Sequence, residues 1–314
     1  MKNGKITEML GIKYPIFQGG MAWIADAELA AAVSNAGGLG IIAAGNADAD
    51  YVTTQIRKAK ELTDKPFGLN IMLLSPFADD VAQAAADEGV KVITTGAGNP
   101  AKYMKLWLDA GIKVIPVVPS ITFAKLAVRN GAAAVIAEGG ESGGHIGELT
   151  TMALVPQVVD TVDIPVIAAG GIADGRGIAA AFALGADAVQ IGTRFLSAKE
   201  CNIHQNYKNK VFKAGDTATI VTGRRLGHPV RSIRNQFARE YAKIEYTDIS
   251  DEELDAFAAG TLRMAVQDGD EKGGCFLAGQ SAGLVKKEES CEEIIQDLIS
   301  DCEKQLRRLE EWVK

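Results

Sequence analysis

Eight short apolar segments recur through the first 191 residues, and a stretch of helical composition separates each from the next. The apolar segments cover residues 14–18, 39–44, 67–73, 90–95, 112–118, 132–137, 165–169 and 186–191. Apolar residues follow one another in these segments instead of alternating with polar ones, which is typical of strands buried on both faces. Strict strand–helix alternation predicts a parallel sheet with helices packed outside it.

The intervening segments predict helices at residues 27–36, 50–62, 76–88, 101–110, 121–130, 151–161 and 176–184. Glycines follow most of them, as expected at helix C-termini. Eight units within about 190 residues favour a closed TIM (β/α)8 barrel over an open doubly wound sheet. The open sheet predicts a GxGxxG fingerprint after the first strand, whereas residues 18–23 have the sequence QGGMAW.

The repeating pattern ends after Phe195. Residues 199–257 hold short helical pieces and predict a smaller subdomain inserted after strand eight. We expect helices at 258–264, 280–284 and 291–312, the last closing the barrel. The predicted organisation is therefore a barrel over residues 1–198, an inserted subdomain over 199–257, and C-terminal helices over 258–314 that pack back on the barrel.

Composition and charge exclude several classes of function. The formal net charge of −7 argues against a general nucleic-acid binder. No apolar run approaches the ~20 residues that span a bilayer, and residues 1–14 lack the apolar core of a signal peptide. The four cysteines have no metal-site spacing. These observations predict a cytoplasmic protein with reduced thiols and without a metal site.

Two glycine-rich turns follow strands seven and eight, where barrels of this kind often bind phosphate. They contain Gly170-Gly171 and Gly192-Thr193, whose backbone N–H groups can face an anion. A helix starting near Gly175 is expected to add its positive end. The alternative is a pair of tight turns required by barrel closure. Because no GxxxxGK[ST] motif is present, we expect the phosphate to belong to a bound cofactor.

The loop after strand six has five glycines within residues 138–147 and carries His145, one of three histidines in the chain. Taken alone, it fits either a ligand site or a surface turn. Other strand ends offer the neutral amides Asn70 and Gln190, and no paired catalytic carboxylates, HExxH or GxSxG motif. A phosphate site with glycines, amides and one histidine suits a cofactor that carries its own reactivity, such as a flavin.

Five motifs together identify a family resemblance. They are IFQGGMAW at 16–23, GLNIM at 68–72, AEG at 137–139 with SGGHIG at 142–147, AAGGIA at 168–173, and QIGTRF at 190–195. The chain resembles the FMN-dependent enoyl-[acyl-carrier-protein] reductases of type II, the FabK family, from about residue 14 to its C-terminus. The wider superfamily includes the nitronate monooxygenases (formerly 2-nitropropane dioxygenases), which share the histidine loop and both phosphate turns.

The resemblance implies that bound FMN carries hydride from NADH, or NADPH, to a trans-2-enoyl-[acyl carrier protein] in bacterial type II fatty acid synthesis. It implies that His145 is the catalytic residue, holding or protonating the thioester enolate. It implies that residues 199–257 form a lid. A homodimer, an acyl carrier protein partner and stimulation by a monovalent cation are also implied. The implied flavin contacts are Gly20, Met21, Ala22, Asn70, Glu138, Gly144, Gly170, Gly171, Gly192 and Thr193.

Two other functions remain open. A nitronate monooxygenase oxidises nitronates with O₂ and needs no nicotinamide. A non-catalytic flavin- or phosphate-binding protein belongs to a different class, and an intact His145 argues against it.

Residues 199–240 contain nine lysines and arginines against three acids, a net charge of +6. Arg224, Arg225, Arg231 and Arg234 are expected to face acyl carrier protein or the NADH pyrophosphate, or else to form a solvated helix face. For His204 we expect a surface position, and for His228 a structural role.

Overall fold

The computed structural model describes residues 4–312, and its strands alternate with helices as the sequence predicts. In chain order the strands are β1 (Ile16–Gln18), β2 (Gly40–Ala43), β3 (Phe67–Met72), β4 (Val92–Gly96), β5 (Lys113–Val118), β6 (Val135–Glu138), β7 (Gly144–His145), β8 (Val166–Ala169), β9 (Ala188–Ile191), β10 (Thr219–Thr222) and β11 (Val230–Ile233). Eight of them form one sheet in the order β1-β9-β8-β6-β5-β4-β3-β2. All neighbouring pairs in this sheet are parallel.

The helices are α1 (Lys5–Leu10), α2 (Ala27–Asn35), α3 (Ala49–Leu62), α4 (Ala78–Asp87), α5 (Ala101–Asp109), α6 (Ile121–Arg129), α7 (Thr151–Val159), α8 (Gly175–Ala183), α9 (Gln205–Phe212), α10 (Gln236–Ile244), α11 (Asp251–Ala258), α12 (Thr261–Arg263) and α13 (Cys291–Glu310). Short 3-10 helices cover Thr193–Ser197 and Gln280–Leu284, and a π-helical turn covers Met264–Asp268. Helix α13 packs between α8 and α2. The (β/α)8 barrel predicted from the sequence is confirmed.

Strands β1 and β2, the two ends of the sheet, are joined by one side chain and one β-bridge. Phe17 forms a parallel bridge with Leu39. The Gln18 amide donates to the backbone oxygen of Ile41 at 3.2 Å and accepts from its N–H at 3.1 Å. Buried backbone N–H and C=O groups need hydrogen-bond partners. The Gln18 amide supplies these partners to Ile41, as a neighbouring strand does elsewhere in the barrel.

Helix α1, which the sequence analysis did not predict, packs against the interior of the barrel. Ile6 and Leu10 belong to the same buried cluster as Phe17, Ile41 and other strand residues that point inward. Since α1 immediately precedes β1, it covers the end at which the strands begin. The opposite end, where the strands finish, is the end that carries the glycine-rich loops.

A small antiparallel sheet lies over the loop after β6. Strands β10 and β11 form a hairpin, and β11 pairs with β7, so that Val230 lies opposite His145. This hairpin falls within residues 199–257, where the sequence predicted short helical pieces. Helices α9 and α10 lie there as predicted, whereas the hairpin was not predicted. In the described part of the chain, no helix combines the length and apolarity needed to cross a membrane.

Candidate active site

A cavity of about 660 Å³ opens at the ends of the barrel strands. Its size is within the ~300–1,000 Å³ typical of cofactor and small-molecule sites. The sequence-predicted site residues all line it, namely Gly20, Met21, Ala22, Asn70, Glu138, Gly144, His145, Gly170, Gly171, Gly192 and Thr193. The structure therefore brings together residues from five separate strand ends.

The loop after β1 lies directly on Asn70. A methyl group built on Gly20 would stand 2.3 Å from the Asn70 Cβ, so only glycine fits this contact. The Asn70 amide donates to the Thr94 hydroxyl at 2.9 Å, which fixes its orientation on the barrel's inner surface. Its carbonyl end accordingly remains available to a ligand in the cavity.

The two turns predicted to bind phosphate present unpaired backbone donors. Gly170 and Gly171 have φ values of 94° and 76°, in the left-handed region that favours glycine. In the described part of the chain, their N–H groups and those of Gly192 and Thr193 have no hydrogen-bond acceptor. The Thr193 hydroxyl accepts from the Gly279 N–H at 2.9 Å and so keeps its own proton to donate. This donor set suits an anion with several oxygens.

The start of α8 does not contribute as expected. The Asp174 carboxylate accepts from the N–H groups of Arg176 and Gly177 at 3.0 and 3.2 Å, and the Arg176 guanidinium pairs with the same carboxylate. The N–H groups of Arg176 and Gly177 are therefore already occupied by a side-chain cap. These two N–H groups are not free for an anion, and the turn amides remain as the donors.

The glycine-rich loop is anchored to the barrel through Glu141, which the sequence analysis did not single out. Its carboxylate accepts from the Thr151 N–H and hydroxyl, both at 2.9 Å, at the start of α7. Its backbone oxygen accepts from the Gln280 N–H at 2.9 Å. A carboxylate at a helix start is stabilising, so Glu141 ties the loop to both α7 and the C-terminal segment.

His145 is held by the small sheet, with its ring open to the cavity. Next to it, the Ile146 N–H donates to the Pro229 oxygen at 3.0 Å. Burial of the ring's surroundings lowers the pKa of His145, and the nearby His228 lowers it further. The imidazole is therefore neutral at pH 7 and able to donate or accept a hydrogen bond.

His228 also lines the cavity, although its sequence context predicted a structural role. The residues on either side of it, Gly227 and Pro229, share this position. The local sequence does not indicate that these residues line the cavity, because the pairing of β11 with β7 brings them there. His204, in contrast, is exposed as expected, and its ring caps α9 by accepting from the Asn206 N–H.

Glu138 and Ser142 are polar residues of the cavity that lie next to each other. Burial raises the pKa of the Glu138 carboxyl to about 7. The Ser142 hydroxyl lies beside this carboxyl and opposes part of that rise, but its oxygen has no well-formed hydrogen bond in the described part of the chain. Buried polar groups are nearly always hydrogen-bonded, so the remaining hydrogen-bonding capacity of these two groups suits a polar ligand.

The four arginines lie in the β10–β11 turn and in and just after β11, so the helix-face alternative is wrong. Arg231 directs two guanidinium nitrogens to the Gly140 oxygen, at 2.8 and 3.2 Å. Arg224 pairs with Glu148 at 2.7 Å. Arg225 binds backbone oxygens and a carboxylate near the start of α11. Only Arg234 is exposed without a side-chain partner in the described part of the chain.

The cysteines are free, and Cys201, Cys291 and Cys302 are buried. None of the four lines the cavity. Burial raises the pKa of the Cys201 thiol to about 12, which makes it unreactive at neutral pH.

Comparison with known proteins assigns the family. A model of the nitronate monooxygenase family matches residues 3–88 and 80–301. The structure of FabK from Thermotoga maritima has 49% sequence identity and a TM-score of 0.97, covering 99% of this chain and 100% of that chain. A Mycobacterium tuberculosis relative, named (3aS,4S,5R,7aS)-5-hydroxy-7a-methyl-1-oxo-octahydro-1H-indene-4-carboxyl-CoA dehydrogenase, is 34% identical over 94% of this chain and 95% of its own. A probable nitronate monooxygenase from Staphylococcus saprophyticus is 34% identical over 90% of this chain and 93% of its own. The chain belongs to the nitronate monooxygenase family, and within it is similar to FabK.

Proposed function

We propose that this protein is an FMN-dependent enoyl-[acyl-carrier-protein] reductase. It would use NADH or NADPH to reduce trans-2-enoyl-[acyl carrier protein] to acyl-[acyl carrier protein] in bacterial type II fatty acid synthesis. The observation that carries this proposal is the similarity to FabK along the whole chain, at 49% identity. The M. tuberculosis relative is named for a carboxyl-CoA compound, which is also a thioester. That name agrees with a thioester substrate.

The cavity residues fit FMN. The unpaired amides of Gly170, Gly171, Gly192 and Thr193 match the oxygens of its phosphate. The cavity volume has room for a ring of this size, and Glu138 and Ser142 offer it polar contacts from the lining. When bound, FMN supplies hydride chemistry that no side chain in the cavity provides.

His145 would stabilise the thioester as it is reduced. Hydride addition to the β-carbon of an enoyl thioester places negative charge on the thioester oxygen. A neutral imidazole can donate its N–H to that oxygen and supply the proton that completes reduction. The lowered pKa of His145 favours this neutral donor at physiological pH. Residues 199–257 would act as a lid that keeps water out during this step.

The nitronate monooxygenase activity is the second candidate, since the family model and the S. saprophyticus relative carry that name. Under that function the same cavity would bind a nitronate, O₂ would be the oxidant, and no nicotinamide would be needed.

One assay separates these functions. The FMN-loaded protein is given NADH with and without crotonyl thioester, and in a second reaction a nitronate with O₂ and no NADH. NADH oxidation that depends on the thioester supports the reductase. Nitronate oxidation without thioester reduction would refute it. Turnover in neither reaction would leave a flavin-binding protein without either activity. Acyl carrier protein as the partner, a cytoplasmic homodimer and stimulation by a monovalent cation belong to the same proposal, and each is open to direct measurement with the purified protein.

A further inference from the structure

The cavity has two chemically different sides. The sheet order places β4 and β3 across the barrel from β9 and β8, which carry the anion-binding turns. Beyond Asn70, β3–β5 and the segments after them contribute a set of apolar or glycine lining residues. In the described part of the chain these are Met72, Leu74, Gly96, Ala97, Gly98, Val117, Pro119 and Phe123. No side chain in this set can form a strong hydrogen bond.

This apolar wall continues to the protein surface. Leu74 is 62% exposed and Phe123 is 42% exposed, although both line the cavity. Large apolar side chains that are exposed together at the edge of a cavity commonly mark a binding surface. An apolar ligand that enters the cavity can therefore remain in apolar contact until it reaches the solvent.

The middle of the wall is built from the smallest residues. Gly96, Ala97 and Gly98 follow β4, and Ala97 has a φ of 53°, which non-glycine residues rarely adopt. Gly98 has a φ of 148°, and a methyl group on it would lie 3.0 Å from the Leu73 Cβ. Strained backbone of this kind is often retained at functional sites. Residues 96–98 therefore form a stretch of the wall that carries no side chain larger than a methyl group.

We propose that this wall, from Met72 to Phe123, binds the aliphatic chain of a fatty acyl thioester and directs its far end out between Leu74 and Phe123. The inference rests on the proposed thioester substrate and adds where the chain lies. It predicts that medium and long acyl chains bind more tightly than short ones. Each methylene buried on the wall is expected to raise affinity about fourfold, because burial of a CH₂ contributes ~0.8 kcal/mol.

The test measures binding of saturated acyl-CoA probes, so it does not depend on turnover. Butyryl-, octanoyl- and dodecanoyl-CoA are titrated calorimetrically into the FMN-loaded protein, below the micelle concentration of each probe. The CoA portion is common to the series and cancels in the affinity ratio. The perturbed protein carries Leu74→Ser and Phe123→Ser. The control carries Leu108→Ser, which changes a side chain of similar exposure (44%) on α5 that does not line the cavity.

We expect the dodecanoyl-to-butyryl affinity ratio to fall about tenfold or more in the double variant and to stay unchanged in the control. Thermal melting of each variant checks that it remains folded. Equal binding of dodecanoyl- and butyryl-CoA by the wild type, or an unchanged ratio in a folded double variant, would overturn the inference. Chain-length-dependent binding without enoyl reduction would uphold the wall and refute the reductase. Enoyl reduction that does not depend on chain length would refute the wall and uphold the reductase.

Discussion

Replacing Arg231 with methionine is expected to release the loop that carries His145. Methionine keeps an unbranched apolar stem and removes the guanidinium, so mainly the hydrogen bonds are lost. Those bonds are the two to the Gly140 oxygen and one to the Thr219 hydroxyl at 3.1 Å. With five glycines in ten residues, the loop has little intrinsic preference for its observed conformation.

The size of the effect follows from these contacts. Hydrogen bonds to a charged group contribute ~1.5–3 kcal/mol. The two to Gly140 share one acceptor, and Arg231 is only half-buried. We therefore expect a loss of about 2 kcal/mol in the free energy that keeps the loop closed, which is about a thirtyfold increase in its open population. The His145 pKa should rise toward its ordinary value, because opening removes both the burial and the approach of His228 that lower it.

Hydrogen exchange of residues 139–147 measures the opening, and NMR titration of the histidine rings measures the pKa. Arg234→Met is the matched control, since Arg234 lies near the end of the same hairpin and has no side-chain partner in the described part of the chain. Arg231→Lys should give an intermediate loss of protection, because one ammonium cannot reproduce the forked geometry. Unchanged protection in Arg231→Met, or an equal loss in Arg234→Met, would refute the positioning role.

Three further predictions concern single residues that line the cavity. His145→Ala should retain FMN, measured by flavin absorbance, and lose thioester reduction at least a hundredfold; wild-type reduction would show that its role is wrong. The pKa of Glu138 is about 7 in the folded protein and near 4.5 in the unfolded protein. The free energy of unfolding of the wild type should therefore fall by ~1.4 kcal/mol for each pH unit between those values. Urea unfolding of the flavin-free proteins at pH 5 and pH 8 measures this loss. The free energy of unfolding of Glu138→Gln should increase relative to that of the wild type as the pH rises. A difference between the two proteins that is the same at both pH values would contradict this. Gly20→Ala should destabilise the protein by about 1–3 kcal/mol, because its methyl group displaces Asn70, whereas Gly215→Ala, with no atom within 4 Å, should melt like wild type.

The barrel was predictable because its determinants are local. Continuous apolar runs such as residues 132–137 and glycines at helix ends are visible in any short window of the sequence. Their regular repetition leaves few topologies. The position of the glycine-rich turns at the cavity was predictable for the same reason, since the fold alone places the strand ends there.

The contacts that were missed depend on residues far apart in the chain. Strand β7 has two residues, and it exists because β11, more than 80 positions later, supplies its partner. No window around His145 contains that information. Likewise, Asp174 looks like an ordinary residue before a helix, and only the structure reveals that it occupies the donors expected to meet an anion.

The arginines illustrate how this limit affects functional inference. The net charge of +6 over residues 199–240 predicted that its arginines face an acidic partner or the NADH pyrophosphate, or else solvent. Yet Arg231 directs its charge inward, to a carbonyl of the histidine loop. Because β11 holds both this arginine and the strand partner of His145, the hairpin and the proposed catalytic residue form one mechanical unit. A motion of the hairpin that preserves the pairing of β11 with β7 must therefore move His145 as well.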